Sequence, residues 1–328
     1  MARIRWGIAG CGDVVRKRVA DAIRRDANSE LVAACRRDSR QLQDFCDTFQ
    51  VPRAYTAVED LLADAEIDAV YIATPVAGHK PQTVLAAEQG KHVLVEKPMG
   101  LTSAECAEMV SACRAAGVRL GVAYYRRFYP LVERIKQLLA DGSVGQPLSV
   151  SAVTATPFDM SPGDGGYWRV LPEQGGGGAL MDIGSHRLNL FLDLFGEIRD
   201  VRAVCGTLHA AYDADNVVSL VAEFGSGVHG VLQCYFGCSV DPDEFAIQCT
   251  QGRIVARPLN GSRLEIQTCD GTRQEDHAPP DNLNGPLIED FSRAILDRRP
   301  PRVTGDEGLQ VNQVIERAYA SAAATPDH

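Results

Sequence analysis

The chain has 328 residues, 45% of them hydrophobic and 23% charged, the balance of an ordinary folded protein with room for two domains rather than a disordered one. Lysine and arginine total 33 against 43 aspartates and glutamates, a formal charge of -10 that disfavours nucleic acid and anionic membrane as partners. No apolar run approaches the roughly 18 residues a membrane span needs, the opening Met1–Gly10 stretch lacks a signal-peptide core, and the expected setting is cytoplasmic.

In chain order, Ile4–Ala9 predicts a buried strand, followed by a glycine turn and a helix over Val14–Arg25 with Val15, Val19, Ala22 and Ile23 on one face. Strands are then expected at Leu31–Cys35, Ala69–Thr74, His92–Val95 and Val118–Ala123. Helices are expected at Ser39–Phe49, His79–Gln89 and Ser103–Ala116, with Gly90 and Gly117 at helix C-terminal turns. Strands separated by single helices imply a parallel sheet covered on both faces. Residues 1–123 thus read as a Rossmann-type α/β domain.

From residue 124 to 328 the rhythm changes. A helix over Phe128–Ala140 and a strand over Leu148–Ala155 lead into a loop rich in Gly, Pro and Asp. A helix over Ala179–Phe195 follows, then five or six strands between Val201 and Thr268 with a hairpin signal at Phe224-Gly225-Ser226-Gly227. Helices at Leu287–Arg298 and Asp306–Ala323 close an α+β domain with an open, mainly antiparallel sheet, and disorder is confined to Ala324–His328.

Gly7-Ile8-Ala9-Gly10-Cys11-Gly12 lies between the first strand and the first helix, where glycines let backbone approach a pyrophosphate. The candidate cofactor cradle is Gly10, Cys11, Gly12, Asp13 and Val14. The third fingerprint position is Val15, so the helix is expected to stand slightly off the sheet. No acid ends the second strand; Arg36 and Arg37 stand where a ribose 2′-phosphate would lie, which favours NADP over NAD. The bland alternative makes them solvated neighbours of a helix cap at Asp38 or Ser39.

Glu96-Lys97-Pro98 follows a buried strand, which brings Lys97 out at the carboxyl edge of the sheet with Glu96 beside it to orient the ammonium. After the glycines Gly175–Gly178, Asp182 and His186 are four residues apart and share a helix face. Such a pair serves acid–base chemistry or, more commonly in isolation, structure. Ten scattered cysteines without CxxC spacing read as reduced thiols; Cys234 and Cys238 lack the further ligands zinc requires, and no metal site is expected.

These motifs occur in the order Ala73-Thr74-Pro75, Gly90-Lys91-His92-Val93-Leu94-Val95-Glu96-Lys97-Pro98, Tyr125-Arg126-Arg127-Phe128 and Gly177–His186. Together they make nearly the whole chain resemble the glucose–fructose oxidoreductase, inositol dehydrogenase and MocA (Gfo/Idh/MocA) family. The resemblance implies a catalytic set of Lys97, Asp182 and His186, a nicotinamide pocket lined by Thr74 and Pro75, and an open sheet serving a homo-oligomer, dimer or tetramer. It also places Trp168 and Arg169 near cofactor and substrate. His79 either joins the cofactor site or packs on its helix, and Tyr125 and Arg126 either face substrate or form a packed hinge. The expected activity is NAD(P)-dependent hydride transfer to or from a secondary alcohol or ketone of a sugar, polyol or related cyclic substrate. The alternatives are a hydrolase or lyase that oxidises its substrate transiently with bound NAD, and a non-catalytic dinucleotide sensor.

Overall fold

The computed structural model describes residues 3–324, so of the stretch 324–328 expected to be disordered, residues 325–328 lie outside the described residues. Two compact units emerge. The first comprises the chain up to Tyr125 together with Asp281–Gln310, and the second comprises Arg126–Pro280 together with the chain from Val311 onward. On sequence alone the second domain runs continuously over residues 124–328. Residues 281–310 belong instead with the first unit because their apolar side chains pack there. Phe291 meets Trp6 with ring centroids 5.6 Å apart, and Thr304 bridges to Gly121.

The sheet of the first unit contains β1 (Ile4–Ala9), β2 (Ser29–Cys35), β3 (Arg53–Tyr55), β4 (Ala69–Ile72), β5 (His92–Val95) and β6 (Leu120–Val122). Their order is β3-β2-β1-β4-β5-β6, and every pair is parallel. The chain reverses its progress across the sheet between β1 and β4, which makes the carboxyl ends of those strands the ligand-binding edge of such a fold. β1, β4 and β5 are buried almost throughout, as strands covered on both faces must be. The helix Ser39–Phe49 has the predicted bounds and buries Leu42, Phe45, Cys46 and Phe49. At Val15 the helix opens with a wide π-type turn, Val15–Val19, before Ala20–Arg25 continues as α-helix, and Val15 is fully buried.

The second unit holds β7 (Pro147–Thr156), β8 (Ile198–Gly206), β9 (Val217–Phe224), β10 (His229–Phe236), β11 (Glu244–Cys249), β12 (Gly252–Ala256), β13 (Arg263–Thr268) and β14 (Gly271–Asp276). They form one open sheet in the order β14-β13-β12-β11-β7-β10-β9-β8. Only β7 and β10 pair in parallel; the rest run antiparallel. β9 shows the period-2 pattern of a sheet covered on one face: Val218, Leu220, Ala222 and Phe224 are buried while Ser219, Val221 and Glu223 are exposed. The helix Ser185–Phe195 covers that face, with Phe191 lying 6.2 Å from Phe224 and 5.9 Å from Phe245 between ring centroids. Packing of this kind fixes the helix that carries His186. Among the described residues, no helix is long and apolar enough to cross a membrane.

Candidate active site

Three chain segments leave the carboxyl edge of the parallel sheet side by side. After β1 comes the glycine turn, in which Gly10 adopts φ +95°. A Cβ there would press on the Ala73 carbonyl just beyond β4 at 2.6 Å, so both backbone conformation and close approach require glycine. Gly12 differs: a Cβ would meet no protein atom within 4 Å, so protein packing does not demand glycine there. A turn kept free of side chains at the mouth of a helix, where N–H groups lack intrahelical partners, fits a dinucleotide pyrophosphate. Cys11 is fully buried and offers a ligand only its backbone, whereas Asp13 is exposed and pairs with Lys17 at 3.0 Å.

At the tip of β2 the arginines separate. Arg36 turns back over the glycine turn, its guanidinium donating to the Cys11 carbonyl at 2.7 Å and to the Gln41 side chain. Arg37 is exposed. Asp38 accepts from the Gln41 N–H at 2.9 Å and caps the helix Ser39–Phe49, so its carboxylate is committed to the helix.

After β4, Thr74 donates its hydroxyl to Gln82 Oε1 at 3.2 Å. His79 is 1% exposed and sits behind this segment, with Nε2 at 2.9 Å from the Thr74 carbonyl and Nδ1 at 3.1 Å from the Pro98 carbonyl. Through these two contacts it ties the segment after β4 to the one after β5. Burial pushes its pKa from 6.5 to about 4, against the pull of the two carbonyls. An unfolded histidine therefore takes up its proton first as pH falls. This group's share of the drop in stability falls between about pH 6.5 and 4, with a slope of up to about 1.4 kcal/mol per pH unit, and that share should be lost in His79→Asn. Urea unfolding at several pH values checks this; parallel curves for the two proteins would mean that folding does not depress the proton affinity of His79.

After β5 comes Lys97. Glu96 beside it is held by the Tyr71 hydroxyl, which donates to Oε1 at 2.6 Å, and by the Lys97 N–H, which donates to Oε2 at 3.1 Å. Tyr71 is fully buried, and burial followed by the Glu96 charge holds its pKa well above the usual phenol value, so it stays a donor. Sequence reasoning missed Tyr71, since a tyrosine inside a buried strand gives no local sign of its partner. Tyr125 lies at the end of this unit, its hydroxyl accepting from Arg18 at 3.2 Å.

In the second unit, Asp182 lies in a wide turn, Leu180–Gly184, that runs directly into the helix bearing His186. His186 is 5% exposed. The structure brings Arg169 to Asp182, Nε to Oδ2 at 3.5 Å, and stacks the same guanidinium on Trp168, 4.6 Å from its ring centroid. Trp168, Arg169 and Asp182 therefore form one cluster, which residue spacing alone did not reveal. Arg126 donates to Asn260 Oδ1 at 2.8 Å. Its neighbour Arg127 forms an ion pair with Asp193 at 2.6 Å, to which Lys136 adds a second cation at 2.8 Å.

A parallel sheet with a glycine turn at its switch point, beside a lysine at the same edge, defines a dinucleotide-dependent oxidoreductase. Residues 4–124 match the model of an oxidoreductase family with an NAD-binding Rossmann fold, and residues 132–255 match the GFO/IDH/MocA C-terminal domain. The chain belongs to the Gfo/Idh/MocA family of NAD(P)-dependent oxidoreductases of the sugar and polyol dehydrogenase type. It is 31% identical to D-xylose 1-dehydrogenase (NADP(+)) 2 of Haloferax volcanii over 97% of each chain. It is also 31% identical to trans-1,2-dihydrobenzene-1,2-diol dehydrogenase of Mus musculus over 80% of each. Among solved structures, aldose-aldose oxidoreductase of Caulobacter crescentus, complexed with glycerol, superposes with a TM-score of 0.89 at 28% identity, over 98% of both chains.

Proposed function

We propose that this protein transfers hydride between NADP and a secondary alcohol or ketone of a sugar, polyol or related cyclic diol. The observation that carries this reading is the side-by-side emergence of the Gly10–Gly12 turn, Thr74-Pro75 and Lys97 from adjacent strands β1, β4 and β5. Backbone at Gly10, Cys11, Gly12, Asp13 and Val14 would hold the pyrophosphate, and Thr74, Pro75 and Glu96 would shape the nicotinamide end. The bound nicotinamide supplies the hydride acceptor or donor. In the oxidative direction His186 takes the hydroxyl proton as general base. Lys97 donates a hydrogen bond to the same oxygen and stabilises its developing negative charge. Asp182, steadied by Arg169, orients the imidazole or binds a neighbouring hydroxyl. Trp168 offers an aromatic face to a ring, and Tyr125 and Arg126 are the weaker substrate contacts, since each already serves an internal partner.

The preference for NADP rests on Arg36, whose guanidinium lies across the glycine turn, and on the exposed Arg37, with Asp38 withdrawn into a helix cap. Arg36→Ala is expected to weaken NADPH binding by about tenfold or more, the loss of one charge-assisted contact, and NADH binding by about twofold. Fluorescence titration with both nucleotides decides it; equal losses would leave no 2′-phosphate site at Arg36. Turnover of D-xylose and of the trans-dihydrodiol of benzene, followed at the nicotinamide absorbance with NADP, tests the substrate class. Cofactor reduced by neither compound, nor by other sugars and cyclic polyols, would overturn the reading.

We further propose a cytoplasmic homo-oligomer. Ten free thiols, seven of them buried, suit a reducing compartment. The uncovered face of the eight-stranded sheet carries Val204, Val221 and Val231 at 71%, 54% and 40% exposure, apolar surface that a second copy of the chain would cover.

A further inference from the structure

The four-glycine loop ahead of Asp182 and His186 is anchored by a carboxylate remote in sequence. Asp215 Oδ1 accepts from the Gly178 N–H at 2.9 Å and Oδ2 accepts from the Leu180 N–H at 2.9 Å. Its carbonyl takes the Ala179 N–H between them at 2.8 Å. Tyr319, from the helix Gly305–Ala323, donates its hydroxyl to Oδ1 at 2.6 Å. Three successive N–H groups at the mouth of the Leu180–Gly184 turn thus end on one residue.

Helix openings leave such donors unsatisfied, and a side chain just before the helix ordinarily accepts from them. Here the preceding residues are glycines, and no local side chain caps the turn. Asp215 takes that role from a distance, and its negative charge suits a helix N-terminus. The glycines are what permit it. A Cβ at Gly178 would overlap the Asp215 carbonyl, and one at Gly177 would overlap the Tyr319 hydroxyl. At the other end of the turn, a Cβ at Gly184 would press on Cys234 Sγ at 2.9 Å. The turn is therefore gripped at both ends. With four hydrogen bonds already accepted and 9% exposure, Asp215 is not placed to bind substrate itself.

We propose that Asp215 and Tyr319 are positioning residues, fixing the height and rotation of the turn that carries Asp182 and launches the helix of His186. The inference rests on the catalytic roles proposed above for those two residues. Displacing a catalytic group by about 1 Å costs on the order of 100-fold in rate, whereas cofactor contacts in the other unit are untouched.

In the full-length protein with saturating NADP, Asp215→Asn replaces one accepting oxygen with a donor that faces an N–H or the tyrosine hydroxyl. Its kcat on the best substrate of the screen is expected to fall about 10- to 100-fold, with NADPH affinity within about twofold of wild type. Tyr319→Phe, which removes a single oxygen, is expected to lose about 3- to 10-fold in kcat with the same unchanged affinity. Faster amide exchange at Gly178 and Leu180 should accompany both. His186→Asn is the reference. Wild-type kcat in Asp215→Asn and Tyr319→Phe, alongside a dead His186→Asn, would overturn the positioning role and leave the catalytic reading standing. An active His186→Asn would overturn that reading itself. If Asp215→Asn does not fold, Tyr319→Phe decides.

Discussion

Replacing Lys97 by methionine is expected to lower kcat by about 10²- to 10³-fold, the usual loss when a donor to a developing oxyanion is removed, with NADPH binding changed by no more than a few-fold. Methionine keeps much of the length and apolar stem of lysine, so packing at the carboxyl end of β5 should survive. The groups that hold the lysine's backbone do not involve its ammonium: Tyr71 and the Lys97 N–H both engage Glu96, and His79 reaches the Pro98 carbonyl. The loss should therefore fall on kcat rather than on the cofactor dissociation constant, the signature of an interaction made mainly in the transition state. Steady-state turnover combined with NADPH fluorescence separates the two quantities. A variant that turns over at the wild-type rate would remove Lys97 from the chemistry.

The second large effect concerns stability. Arg187, the residue after His186, is 1% exposed and forms an ion pair with Asp243, itself 3% exposed. Burial pushes the guanidinium down to about 10 and raises the Asp243 carboxyl, yet each partner holds the other in its charged form. Asp243 also accepts from the Asn260 N–H at 2.8 Å. Removing only the cation leaves a buried carboxylate without its counter-charge. Arg187→Met is accordingly expected to cost about 3–5 kcal/mol, measured by urea unfolding near neutral pH. The sign of the pH dependence follows. The stranded Asp243 has a folded pKa above its unfolded one, so the penalty is full above the folded pKa and shrinks as pH falls through it. Adding Asp243→Asn should recover part of the loss, because a neutral amide is cheaper to bury. A cost below about 1 kcal/mol, flat with pH, would contradict a tightly coupled pair.

Most of the parallel sheet was legible because its strands are continuous apolar runs punctuated by glycine. The predicted bounds of Ser39–Phe49 and His92–Val95 agree with the structure. Arg53–Tyr55 and the helix Val58–Ala63 escaped notice. Three residues and six residues are too few to show a period, and the strand exists by pairing at the sheet edge with β2. In the antiparallel sheet the succession of strands and the hairpin at Phe224-Gly225-Ser226-Gly227 were readable, whereas the parallel pairing of β7 with β10 was not, since strand partners are a property of topology.

The candidate site divides in the same way. Lys97, Asp182, His186 and the glycine turn stood out because unusual residues sat at recognisable junctions. Tyr71, Asp215 and Tyr319 did not, because their partners lie 25, 37 and 104 residues away in the chain. Only the four consecutive glycines hinted that something had to approach closely, and they gave no sign of what.

The return of residues 281–310 to the first unit has a consequence for biosynthesis. Phe291 against Trp6 and Gly121, and Ser292 bonded to Ser29 at 2.8 Å, complete a core that the first 125 residues begin. A ribosome making this protein N-terminus first must therefore release residues 281–310, after the whole of the intervening stretch 126–280, before the nucleotide-binding half can close its apolar flank. Until then that half has to wait with exposed hydrophobic surface, a nascent-chain state that chaperones would be expected to recognise. Cutting the gene at the apparent boundary near residue 125 would make that waiting state permanent.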